Sequence, residues 1–343
     1  SDLLYELILN HMVDFSITET QFSAIKDKTI RDYKNFALSD AYQQTRETGM
    51  GLFMKIKYSW EESLPVAESA TLPMIKKFEE ALYKNTFLEA MVYGDFQEAD
   101  AEKVVAWFQQ KTNTKGIQKS EAFNVEYLEL EKPETIQYVN KLLVNNSCFY
   151  REYVVGKDTP ELRASTKVIG TALQQPFFTE MRTNQQLGYI VGSYPNNKDK
   201  TYYLSFLIQS GEYSADNVNE RAEKFISTAH NIFDNMDEET FAQLIKSEIE
   251  KLEKSPMSIY ERSVKLKNII FENEADYFRD QKTIDALNSL EKESVIKLLN
   301  KIISPQTRRM INVLSFAENH KNTTGTKTSF DDLATWKKSR AYE

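Results

Sequence analysis

The stretch FFTEMRTNQQLGYIVGSYP, residues 177–195, joins two kinds of pattern. A helical segment from about Thr159 to Thr183 runs into the polar residues Arg182, Thr183, Asn184, Gln185 and Gln186. Leu187, Gly188, Tyr189, Ile190 and Val191 follow at once with strand character, and a second strand, TYYLSFLIQS (201–210), comes after PNNKDK, a hairpin loop by composition. Arg182 falls near a helix C-terminus, where its charge suits the dipole and the last free carbonyls, and Gly188 lets the chain turn into the strand. Alternation puts Tyr189 on one face with Leu187 and Val191 and Ile190 on the other. Taken alone, this describes a capping arginine and a half-buried tyrosine.

On the N-terminal side of this stretch, AFNVEYLEL, TIQYVNKLLV and CFYREYVV read as three strands of an antiparallel meander. On the other side, four helical segments precede a last strand, RRMINVLSFA, and residues 321–343 form a polar tail. Strands in one group and helices in another imply an α+β fold, a largely antiparallel sheet packed on one face by helices. The first part of the chain is mostly helical: Phe22, Ile25, Ile30, Tyr33 and Phe36 recur near the helical period, with Thr18 as a cap. FLEAMVYGD (87–95) then reads as a strand, a helix capped by Asp100 follows, and KTNTKGIQKS (111–120) reads as a linker. Both parts end in helices, a strand and a polar segment. That shared ending suggests two copies of one domain type, 1–115 truncated at its front and 116–320 whole, followed by the tail. The chain also begins inside a helical pattern, with Leu3, Leu4, Leu7 and Ile8 in register, as a fragment or a processed product would.

Composition narrows the function. The 343 residues favour two domains over one, and 41% hydrophobic residues with only 10 glycines and 8 prolines describe a folded globular chain. A net charge of -8 without any basic block argues against a nucleic-acid surface. No run approaches the roughly 20 apolar residues of a membrane span. The one cysteine, Cys148, allows no internal disulfide and no thiolate metal site, and its strand setting marks a buried structural thiol.

Catalytic motifs are scarce. His11, His230 and His320 are too far apart in sequence for a zinc helix, which needs two imidazoles four residues apart on one face. His230 and Asp234 form an i,i+4 surface pair. G-x-S-x-G, Walker and G-x-G-x-x-G motifs are absent. The carboxylate pairs Glu79/Glu80 and Glu248/Glu250 sit in charged helices and read as solvated.

The 177–191 stretch resembles the F-x-x-L-R-T-x-x-Q-L-G-Y-x-V signature in the C-terminal half of the pitrilysin and insulin-degrading enzyme family of inverted-motif zinc peptidases, with Met181 where leucine is usual. LSFLIQS (204–210), FSAIKDKTIRDYKNF, Ser59–Trp60, and VYGD with Asp95 in place of asparagine agree in order, so the resemblance spans nearly the whole chain. It implies four related α+β domains closing in two halves around a peptide, with the zinc motif in the N-terminal half. This chain would then be the end of the third domain and all of the fourth, without zinc of its own. The resemblance also assigns Arg182 and Tyr189 to hold substrate and support the transition state, with Gln186 and Gly188 positioning them. Its implied partners are the N-terminal catalytic half and a peptide. The rival readings are a separately encoded non-catalytic subunit of a two-chain relative, and a peptide-binding module that adds a strand to its sheet edge.

Overall fold

The computed structural model describes residues 2–13 and 16–343; the side chains of residues 2–4, and with them the expected Leu3 and Leu4 contacts, lie outside the described residues. The elements run α1 (Asp2–Val13), α2 (Glu19–Phe36), α3 (Ala41–Phe53), α4 (Trp60–Ser69), α5 (Leu72–Leu82), β1 (Asn85–Thr86), α6 (Glu98–Thr112) and β2 (Lys115–Gly116). Then come β3 (Glu134–Lys141), β4 (Ser147–Lys157), α7 (Pro160–Phe178), β5 (Ile190–Lys198), β6 (Thr201–Ser210), α8 (Ala215–Ile226), α9 (Asn231–Asp234) and α10 (Glu238–Glu253). The last are α11 (Ile259–Lys267), α12 (Arg279–Asn288), α13 (Lys292–Ile303), β7 (Arg309–Phe316) and α14 (Leu333–Lys338). They form two compact units, one from residues up to Asn35, Trp60–Val125 and Pro256–Glu274, the other from Phe36–Ser59, Glu126–Ser255 and Ala275–Glu343.

The first unit is helical. Lys26 Nζ reaches the Ala70 carbonyl (2.8 Å), Lys34 pairs with Glu68 (3.1 Å), and Tyr83 meets Phe108 edge-to-face at 6.1 Å. The strand expected over 87–95 does not form: the ladder here is only Asn85–Thr86 pairing in parallel with Lys115–Gly116, and it ends before Phe87. The cap of α6 is Gln97, in a capping box with Asp100 at the third helical position.

The second unit is built on a five-stranded mixed sheet of order β3-β7-β4-β6-β5. The expected meander is corrected on two points. AFNVEYLEL makes only two isolated bridges, Met54 to Tyr127 and Leu128 to Tyr342, and β7 inserts between β3 and β4, parallel to β3 and antiparallel to β4. Strand β4 is therefore central, and Ser147–Val155 is buried throughout. Its two faces serve two cores. Phe149, Tyr153 and Val155 pack with residues of α7, α8 and α13, while Cys148, Tyr150 and Val154 pack with Leu52 and Phe53 of α3 and Trp336 of α14. Burial pushes the Cys148 thiol up to about 12, against a hydrogen bond with Thr45, as suits an inert structural cysteine.

A central strand carrying Arg151 and Glu152 must pair both charges. Arg151 donates to Asn312 (3.1 Å), Tyr153 (2.9 Å), Asn219 (2.8 Å) and Glu223 on one face. On the other face Glu152 accepts from Lys198 (2.6 and 2.7 Å), Asn196 and Ser205 (2.9 Å each). Glu248, read as solvated, is buried and accepts from Thr171 (2.7 Å) and Lys251 (2.5 Å).

Residues 321–343 pack on this unit. Phe330 stacks on Trp336 at 4.6 Å, Arg340 forks onto Glu134 (2.7 and 2.8 Å), and Ser329 and Thr328 bond to Gln137 and Val139 on β3. Asp216 on α8 accepts from Ser214, from Thr323 Oγ1 (2.9 Å), and from the Thr324 and Asn217 amides (2.9 and 3.0 Å). Burial opposes its charge, but these donors, Ser214 foremost, outweigh it and hold the carboxyl at about 2. The folded value lies below the unfolded one of about 3.9, so the stabilisation is complete above that pH and is lost as pH falls towards 2. Asp216→Asn should loosen the 323–329 segment at neutral pH at a cost of about 2 kcal/mol. Hydrogen exchange would register this at the Ser329 amide, which is bonded to the Gln137 carbonyl at 2.8 Å; unchanged protection there would show that Asp216 does not hold the segment.

Candidate functional site

The site begins with the seating of α7. Thr159 caps it, accepting from the Leu162 amide at 3.1 Å, and Pro160 occupies the first turn. At Gly170 a Cβ would come within 2.5 Å of the Pro195 ring on β5, so glycine lets helix and strand approach. Phe177 then anchors the C-terminal end, packing edge-to-face on Phe206 (5.1 Å) and Phe225 (5.4 Å).

Past Phe178 the helix does not stop at an arginine cap. It widens into a π-helical turn, Thr179–Asn184, with the Gln185 amide on the Glu180 carbonyl (3.0 Å) and the Leu187 amide on the Met181 carbonyl (2.9 Å). Gln186 takes the left-handed conformation, φ 53°, that reverses the chain. This corrects the expectation for Gly188: the reversal is made at Gln186, while Gly188 serves close approach, since a Cβ there would lie 1.8 Å from the Gln209 carbonyl oxygen of β6. Met181 and Leu187 are buried in one core, so both ends of the polar run are pinned and its middle is exposed. The alternation of apolar plugs and polar residues thus describes a wide turn and not a strand start; β5 begins only at Ile190.

Two of the four expected site residues meet directly. The Arg182 guanidinium lies over the ring of Phe178 (4.9 Å) and over that of Tyr189 (5.6 Å). Tyr189 is 86% exposed and not half-buried. Such contacts contribute about 0.5–1 kcal/mol at exposed sites, enough to bias both side chains toward one arrangement. Gln186 and Gly188 act through the backbone. The sequence reading missed the part played by Phe178, although its i,i+4 spacing to Arg182 was visible. It also missed Glu180, whose carboxylate accepts from Asn184 Nδ2 (2.7 Å) and Gln185 Nε2 (2.8 Å); the Asn184 and Gln185 amides hold it below the usual carboxylate range.

Residues 327–329 run beside β3, and α7 packs along β5, where mid-strand Ser193 is 2% exposed. Among the described residues no three His, Cys, Asp or Glu side chains come together as a metal site. His320 Nδ1 is bonded to Ser147 (2.7 Å), His11 to the Leu7 carbonyl (2.9 Å), and His230 faces Asp234 at 4.0 Å. No helix among the described residues is long and apolar enough to cross a membrane.

Similarity to known proteins supports a peptidase-family, non-catalytic domain for this α+β unit. Residues 1–66 match the family described as the middle or third domain of peptidase M16, and residues 168–267 match that of the PQQ synthase PqqF-like C-terminal lobe, domain 4. Human insulin-degrading enzyme is 25% identical over 315 residues, 90% of this chain and 30% of the relative. The yeast (Saccharomyces cerevisiae) A-factor-processing enzyme is 24% identical with the same coverage, and Escherichia coli protease 3 is 22% identical over 93% of this chain and 33% of its own length. Among solved structures, pitrilysin superposes over the whole chain and 37% of its own with a TM-score of 0.86 at 19% identity. A peptidase M16 inactive domain from Pseudomonas fluorescens superposes over 95% of this chain and 76% of its own with a TM-score of 0.63 at 13% identity. Together these family models, relatives and solved structures support the pitrilysin and insulin-degrading enzyme family, C-terminal half. It spans about a third of the length of the curated relatives it matches.

Proposed function

We propose that this chain is the C-terminal, zinc-free half of a pitrilysin-like metalloendopeptidase, walling part of a closed chamber and offering Arg182 and Tyr189 to a peptide substrate. The observation that carries the reading is the Phe178–Arg182–Tyr189 stack, exposed on a turn whose two ends are plugged into the core. Guanidinium and phenol are both hydrogen-bond donors, and donors fixed before reaction stabilise a developing oxyanion without reorganising. Gln186 and Gly188 set the path that places them. Under this reading residues 1–115 close a third domain, 116–320 form a fourth, and zinc belongs to the N-terminal half, which is the partner. Strand addition is the weaker alternative, because Ser193 in β5 is buried and Pro195 has no N–H to offer.

Pure chain, stripped with chelator and reloaded with zinc, should retain no stoichiometric zinc and leave a quenched fluorogenic peptide uncut. Chelator-sensitive cleavage by residues 1–343 alone would overturn the assignment. In the complete gene product, cleavage should depend on Arg182.

A further inference from the structure

We infer that Glu180 is a positioning residue for Arg182, one that sets the rate of peptide cleavage by clasping the turn that carries the guanidinium; the inference rests on the function proposed above. Glu180 accepts three hydrogen bonds from the far side of the turn: Oε2 from Asn184 Nδ2, Oε1 from Gln185 Nε2, and the backbone carbonyl from the Gln185 amide. They close a loop of which Arg182 is the only charged side chain between the clasp points. A π-helical turn is rare and often marks a functional position. Here the turn must also support a left-handed Gln186, a conformation that non-glycine residues rarely adopt.

The clasp is not a by-product of a salt bridge. Both carboxylate oxygens are spent on amides of the same turn, and Lys224 of α8, which lines the same cleft beside Glu180, is paired with Glu220 at 3.0 Å. A glutamine at 180 would set an amide donor against an amide donor on one of the two arms. The core plugs Met181 and Leu187 would remain, so the fold should persist while the exposed arc between them loosens. The arc holds Arg182, and a guanidinium displaced by a fraction of an ångström loses more in the transition state than in substrate binding.

The test is kinetic, in the complete gene product with a quenched fluorogenic peptide. Glu180→Gln should lower kcat by about tenfold, with KM and Tm unchanged. Asn184→Ala, which removes one arm, should lower kcat less. In an Arg182→Ala background Glu180→Gln should have no further effect, because the residue it positions is gone. Wild-type kcat for Glu180→Gln, or the same tenfold loss in both backgrounds, would overturn the inference while leaving the proposed function intact. Wild-type kinetics for Arg182→Ala itself would instead remove the reading on which the inference stands.

Discussion

Arg182→Ala and Tyr189→Phe should each lower kcat/KM by about 100-fold in the complete gene product, with the fold of this segment unchanged. Loss of one preorganised oxyanion donor costs about 2.7–4 kcal/mol in a well-studied site. Arg182 and Tyr189 share one place, so either loss should fall at the low end. The effect belongs to kcat more than to KM, since a donor aimed at developing charge adds little to ground-state binding. Tyr189→Phe is the sharper of the two. It keeps the ring under the guanidinium at its 5.6 Å stacking distance and removes only the hydroxyl. Wild-type kinetics there would reduce Tyr189 to a platform for Arg182. Arg182→Lys should not restore activity, because an ammonium lacks the planar fork that can lie between two rings while still donating. If Arg182→Ala unfolded the domain while Tyr189→Phe stayed active, the arginine would be a structural element after all; its exposed side chain, resting on the rings of Phe178 and Tyr189, argues against that outcome.

Gly188→Ala should damage both stability and activity. The added methyl would fall 1.8 Å from the Gln209 oxygen and 3.0 Å from the Gln209 carbon, and both are backbone atoms of β6. No side chain can swing aside, so the start of β5 must move away from its partner, beginning at the Ile190–Gln209 pair. Overpacking of this kind costs about 1–3 kcal/mol where side chains yield, and more where only backbone can. We expect about 3 kcal/mol or more by denaturant unfolding, a loss that Tyr189→Phe does not share. Hydrogen exchange should report early opening along β5 and β6. A stable Gly188→Ala protein with full activity would mean that β5 tolerates displacement by more than an ångström, which is hard to reconcile with placement of Tyr189 by this strand.

The sequence carried what depends on local pattern. Residues 160–184 are helical, β5 and β6 form a hairpin, and β7 closes the unit, because spacing of apolar residues and turn composition act over a few residues. The motif residues were legible too, as was the buried state of Cys148. What could not be read was anything decided by partners far away in the chain. Strand β7 lies between β3 and β4 although it is more than 150 residues from either, since pairing order depends on which strands bury both faces and not on sequence proximity. Glu248 is buried because Thr171 and Lys251 receive it, a compensation invisible in a charged helical run. The polar segment after 321 is docked because Asp216, Glu134 and Gln137 offer it partners.

The same division runs through the site. Sequence alone determined which residues are present and that a helix passes into a strand at 177–195, because side-chain chemistry and periodicity are local properties. Only the tertiary structure decided that the passage is a widened turn pinned by Met181 and Leu187, that Gly188 is required by the Gln209 carbonyl across the sheet, and that Arg182 rests on the rings of both Phe178 and Tyr189. Each of these is a contact between segments brought together by the core, and steric exclusion across a strand pair has no signature in the linear order of residues.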